Sequence, residues 1–170
     1  GQTLQNTPPD IIREDMNLMP RARPAGADSI TIVHTVTVNH SGYSWLIKIA
    51  HAPAGVAGDI AFGIEEIGYS VLSLHENTLP EDTWFAIVQK LEDDRSIYFY
   101  PHGLEFNEPA TLALSYKGID KSQVAETSLD LFYLNPDILD WEPMGGAVDA
   151  ESEHLIVSLD HFSRYAVGGD

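Results

Sequence analysis

The stretch 97–116, Ile-Tyr-Phe-Tyr-Pro-His-Gly-Leu-Glu-Phe-Asn-Glu-Pro-Ala-Thr-Leu-Ala-Leu-Ser-Tyr, constrains the fold more than any other part of the chain. Apolar residues alternate over 97–100 and again over 110–116, and Pro101, Gly103 and Pro109 punctuate the segment between them. Alternation of period two is the mark of a strand, and Pro and Gly interrupt it. The reading is strand, irregular corner, strand. Neither proline can donate to a ladder, so each is expected at the end or start of a strand and not in its middle.

The rest of the chain repeats this pattern. Residues 29–39 read as a strand, with Ile30, Ile32, His34, Val36 and Val38 on one face and Thr31, Val33, Thr35 and Thr37 on the other. His34 is expected to be a buried histidine satisfied by one hydrogen bond. Residues 43–50 follow, with Tyr43, Trp45, Ile47 and Ile49 sharing a side and Lys48 on the opposite one. The Ala-, Gly- and Pro-rich stretch 51–58 reads as loop. Residues 60–64 and 69–75 are short strands. In 83–91 both faces are apolar, so this strand is expected in the middle of a sheet. Further strands are expected at 128–134, 154–159 and 162–167, with one helical turn within 122–126 and a turn at Asp160-His161. Leu112, Leu114, Leu129, Leu131, Leu155 and Val157 are the expected core.

Short strands separated by turn signals, with no long helix, indicate an all-β antiparallel sandwich. Strand pattern alone does not separate an open sandwich from a closed barrel. A chain of 170 residues accommodates one such domain, placed at 29–170, behind an extended N-terminal arm, 1–28. The arm carries Pro8, Pro9, Pro20 and Pro24 together with Leu4, Ile11, Ile12, Met16, Leu18 and Met19. Asp10 could cap a short helix there. An arm of this composition orders by docking, either on its own domain or on a neighbour, and copies of the same chain are the expected partner.

Charge narrows the function classes. Acidic residues outnumber basic ones 26 to 9, and the net charge is −17. Such a surface repels phosphate backbones and anionic lipid, so nucleic acid and membrane are not expected partners. The chain has no cysteine, which removes disulfides and thiolate metal sites. No apolar run approaches the ~20 residues of a membrane-spanning helix. The histidines show no pairing at zinc-ligand spacing. Asp149, Glu151 and Glu153 alternate before a strand, and Asp137, Asp140 and Glu142 surround a turn. Calcium takes oxygens from such loops, so Asp149, Glu151 and Glu153 are the alternative metal site; a solvated acidic rim is the plainer reading, with no cofactor expected. Exposed Trp45, Trp84 or Trp141 could stack on a glycan. No Gly-x-Ser-x-Gly elbow is present to anchor a hydrolase triad.

Several segments together resemble a known family. Gly68-Tyr69-Ser70-Val71-Leu72-Ser73-Leu74 leads through Leu79-Pro80-Glu81-Asp82-Thr83 into the next strand. Tyr98-Phe99-Tyr100-Pro101-His102-Gly103-Leu104-Glu105-Phe106 with Pro109, then Trp141-Glu142-Pro143, then His161-Phe162-Ser163-Arg164-Tyr165 follow in order. Across roughly 43–167 this resembles the ZU-five-like β-sandwich of ankyrins, netrin receptors and bacterial surface proteins. His75-Glu76-Asn77-Thr78 departs from the family's turn, and 1–39 has no counterpart in it. The resemblance implies a non-catalytic structural or interaction module, secreted or on a bacterial cell surface. It implies one alternative as well. Some vertebrate relatives cut themselves between the phenylalanine and serine of a motif like His161-Phe162-Ser163. Ser163 would then be the nucleophile, with His161 adjacent and His34 and His154 as further candidate bases. In a simple hairpin Leu159 would face Phe162 and His154 would lie opposite Val167, away from Ser163.

Overall fold

A computed structural model of the chain describes residues 28–122, 125–135 and 137–169. Leu4, Ile11, Ile12, Met16, Leu18 and Met19, and the helix suggested behind Asp10, lie outside the described residues. Twelve strands are described: β1 (Thr31–His40), β2 (Tyr43–Ala52), β3 (Gly58–Ile64), β4 (Gly68–Leu74), β5 (Thr83–Lys90), β6 (Ile97–Tyr100), β7 (Glu105–Ser115), β8 (Leu129–Asn135), β9 (Asp140–Pro143), β10 (Ala147–Asp149), β11 (His154–His161) and β12 (Arg164–Gly169). The helical turn is a 3-10 turn at Glu126–Ser128, slightly later than the sequence suggests.

The strands form two antiparallel sheets. The larger runs β1-β2-β5-β6-β12-β8-β9 and the smaller β10-β11-β7-β4-β3. They face each other across one core. Leu112, Leu114, Leu129, Leu131, Leu155 and Val157 are all buried in it, as their alternation requires. β5 lies between β2 and β6 with both faces buried, the expected place for a strand that is apolar on both sides.

Three local expectations fail, each for a physical reason. Pro109 lies inside β7, not at its end. Pairing of β11 with β7 jumps from Leu159↔Ala110 to His161↔Glu105, so the ladder is interrupted where Pro109 sits and its missing N–H breaks no regular pair. His34 is exposed, not buried. A register shift between Ile32 and His34 changes the parity of β1: Ile32 pairs with Ala50, His34 with Ile49. Ile32 therefore shares the inward side of β2, while His34, Val36 and Val38 share the outward side. Finally, Asp160-His161 is not a turn, since β11 runs through both residues, and β11 and β12 are not a hairpin. They belong to different sheets, so 162–163 is a crossover between layers.

The larger sheet is apolar on its outward face as well. Trp45, Ile47, Ile49, Ala86, Val88 and Tyr98 form a second buried cluster, separate from the core between the sheets. Lys48 is on the inward side of β2 at the sandwich margin, where Nζ donates to the Ala61 carbonyl at 2.5 Å. Burial lowers its pKa.

Candidate functional site

The crossover between β11 and β12 opens onto a pocket of about 640 Å³ lined by Tyr98, His102, Glu105, Tyr133, His161, Ser163 and Arg164, among others. Its floor is built by Phe162. This side chain is fully buried and stacks on Phe99, with ring centroids 5.0 Å apart and planes at 10°. Phe106 meets it edge-on at 5.1 Å. Burying an aromatic ring at this corner fixes the backbone on either side of it.

That backbone is held at each end. Phe162 N–H donates to the Leu104 carbonyl at 2.9 Å, and Phe99 N–H donates to the Ser163 carbonyl at 2.9 Å. The Phe162 carbonyl accepts from Gly103 N–H at 2.9 Å. Gly103 reaches this position at φ +80°, a conformation that glycine adopts without strain. The His161 ring lies with Nδ1 3.4 Å from the same Phe162 oxygen and packs edge-on against Tyr133 at 5.1 Å. His161 is thus aimed at the carbonyl, and among the described residues no imidazole is hydrogen-bonded to the Ser163 hydroxyl. The crossover supplies an oxyanion-type donor to Phe162, and no base poised on Ser163.

The two other candidate bases are elsewhere. His34 is on the edge strand β1, and His154 is at the far end of β11, its Nε2 2.8 Å from the Tyr69 carbonyl. The histidine the structure does bring to the pocket is His102. Its ring sits 4.2 Å from that of Tyr100 and 6.2 Å from that of Tyr98, and burial lowers its pKa. Arg164 also points here. Its guanidinium lies between the rings of Tyr98, at 4.8 Å, and Trp141, at 5.2 Å. No sequence motif joins His102 to Ser163. The missing signal is the pairing of the 101–104 corner with 162, which only the sheet crossover creates.

The acidic turns are spread apart. Asp149 accepts from Ser152 N–H at 3.4 Å, and hydrogen bonds from Ser152 hold its carboxyl below the usual range. Glu153 turns to Lys121, 3.5 Å from its Nζ. Glu142 accepts from Asn135 Nδ2 at 3.0 Å, and Asp140 accepts from Trp141 N–H at 2.8 Å. Among the described residues no group of three or more His, Asp or Glu side chains is arranged to hold a metal ion. Of the tryptophans, Trp45 is fully buried, whereas Trp84 and Trp141 are half-buried and carry His51 and Arg164 against their rings.

Fold and site together define an all-β, two-sheet sandwich, a fold consistent with a structural or protein-interaction module. No family model matches the chain, and no curated protein matches it either.

Proposed function

We propose that this chain is a structural and interaction module of a secreted or cell-surface protein, ZU-five-like in its sandwich, that associates with copies of itself through its N-terminal arm. The observation that carries this reading is the edge of the larger sheet. β1 is ten residues long and, among the described residues, pairs only with β2. Its sequence, TIVHTVTVNH, has no Lys, Arg, Asp, Glu or Pro, the residues with which sheet edges are ordinarily protected. Ile32 and Val36 are exposed on it. An uncharged edge of this length accepts an extended segment of another chain by main-chain hydrogen bonding. In a protein of net charge −17, contact between copies must be mostly apolar and backbone-mediated, and salt strengthens it.

Placing lysines at the exposed edge positions, as Thr35→Lys with Thr37→Lys, tests this. Both side chains are exposed, so the fold is expected to survive. Light scattering on the full chain is expected to show assembly that the double variant loses. Equal assembly by both proteins would refute edge pairing.

A second reading rests on the two groups aimed at the Phe162 carbonyl, Gly103 N–H and His161 Nδ1. In this reading the Ser163 hydroxyl oxygen bonds to the Phe162 carbonyl carbon, and the C–N bond breaks as the Ser163 nitrogen takes the proton. Water then opens the resulting ester, leaving Phe162 as a new C-terminus and Ser163 as a new N-terminus. Intact-mass measurement separates the readings: the structural module stays one chain. Two fragments meeting at this bond, restored to one by Ser163→Ala, would establish self-cleavage.

A further inference from the structure

The larger sheet parts at the start of β12. Pairing of β12 with β8 begins only at Tyr165↔Tyr133, whereas Arg164 still pairs with Tyr98 of β6. Arg164 therefore stands where β12 and β8 separate, and the pocket at the crossover opens beside it. Cross-strand partners share a face, so the Arg164 side chain lies with Tyr98 on the outward side of the sheet. On β9, Trp141 pairs with Leu134, another residue of the pocket wall.

The guanidinium is held by its faces. Its carbon is 4.8 Å from the centre of the Tyr98 ring and 5.2 Å from that of Trp141. Contact with rings leaves the in-plane N–H groups for hydrogen bonding. Nε is buried and has no hydrogen-bond partner. The chain carries 26 acidic residues, yet among the described residues no carboxylate pairs with Arg164. Glu105 lines the same pocket without forming an ion pair with it. A cation fixed between aromatic rings and left without an acid, in so acidic a chain, is arranged for an acid from outside.

We propose that this pocket binds a hydroxylated monocarboxylate, the chemistry of a sugar acid, with Arg164 taking the carboxylate. The planar fork of a guanidinium matches a carboxylate with two parallel hydrogen bonds. A phosphate monoester would bring two negative charges to Glu105 and to a protein of net charge −17, and a single charge is penalised less. The walls suit a body with both apolar and polar faces. Tyr98 and Tyr133 offer ring surface, while His102, His161 and Glu105 offer donors and acceptors to hydroxyls. The volume of about 640 Å³ falls within the ~300–1,000 Å³ of small-molecule sites and admits a monosaccharide. The site is separate from the β1 edge. β1 closes one end of the larger sheet, and β12 lies next to β8 toward the other. Ligand binding here stands whether or not copies pair at that edge.

Isothermal titration of the full chain with millimolar sodium D-glucuronate, D-glucose or glucose 6-phosphate tests this. Saturable binding of glucuronate at a single site is expected. Losing a charge-assisted hydrogen bond costs at least about tenfold, so glucose is expected to bind at least about tenfold more weakly. Glucose 6-phosphate is expected to bind more weakly than glucuronate as well. Arg164→Gln is expected to bring glucuronate down to the level of glucose. That change also removes the contacts with Tyr98 and Trp141, so Glu105→Gln, at an exposed position, gives an independent reading. It removes the like charge and keeps an acceptor oxygen, and it is expected to tighten glucuronate binding and leave glucose unchanged. Absence of saturable glucuronate binding, equal binding of glucose, or tighter binding of glucose 6-phosphate would overturn the proposal. So would a folded Arg164→Gln variant of unchanged affinity, or a Glu105→Gln variant that binds glucuronate no more tightly than the parent.

Discussion

The phenyl ring of Phe162 lies parallel to that of Phe99, 5.0 Å away, so that the crossover between the sheets is pinned to β6 of the larger one. Phe85 adds a tilted contact at 5.7 Å. Phe162→Ala removes all of these contacts at a site with no exposure, and the expected cost is about 3–5 kcal/mol, as for other buried aromatic truncations. Urea unfolding measures it. A loss below about 1 kcal/mol would mean that the corner is held by its backbone hydrogen bonds alone.

Arg95 ties the sheets together at the opposite end. It is buried, and its guanidinium donates to the carbonyls of Ile67, Ser115 and Lys117. Arg95→Met keeps the apolar stem and removes the guanidinium donors; Ile67 keeps the Ser115 hydroxyl, which donates to its carbonyl at 2.6 Å, while the Ser115 and Lys117 carbonyls lose a partner. Each buried group left unsatisfied costs about 1–3 kcal/mol, so a loss of at least about 2 kcal/mol is expected. A neutral Arg95→Met variant in the same unfolding assay would contradict the bridging role.

Alkaline pH should unfold the protein through its buried phenols. Burial raises the pKa of Tyr98, Tyr116 and Tyr165. The Glu126 carboxylate, accepting from the Tyr116 hydroxyl at 2.6 Å, pushes that phenol further in the same direction, whereas Arg164 opposes the shift at Tyr98. A phenol whose pKa is raised by folding contributes stability in full below its unfolded value of about 10, and the contribution is lost as pH rises beyond that value. Stability is therefore expected to fall above about pH 10, with the late phenolate absorbance appearing together with loss of near-ultraviolet circular dichroism. Smooth titration of all seven tyrosines in a protein that remains folded would refute this.

Calcium should leave the melting temperature unchanged. Asp149 and Glu153 are engaged by Ser152 and Lys121, respectively. A ligand present at 100 times its dissociation constant adds about 2.7 kcal/mol, an effect readily seen in a melt with calcium against a melt with chelator. A clear upward shift would turn these loops into ligands.

Much of this architecture is legible in the sequence because strand alternation reports directly on shared faces. Leu112, Leu114, Leu155 and Val157 could be placed in the core from spacing alone, and β5 could be placed centrally because both its faces are apolar. Spacing does not say which face of a strand meets the other sheet. Trp45, Ile47 and Ile49 share a side in the sequence, yet that side is the outward one, and Lys48 lies inward. A one-residue shift near Val33 reverses parity along β1, which no local pattern announces, and it carries His34 to the surface. The pocket was least legible. His102, Glu105 and Ser163 line one pocket because β11 and β12 enter different sheets, a property of topology and not of any motif.

Self-association through the arm is tested most directly by light scattering on the full chain over a range of concentrations, beside the double variant Ile11→Asp with Ile12→Asp. The full chain is expected to exceed the 18.7 kDa of one copy and to grow with concentration and added salt, while the variant remains at one copy. A full chain that stays at 18.7 kDa at every concentration, or a variant that assembles as well as the parent, would contradict it.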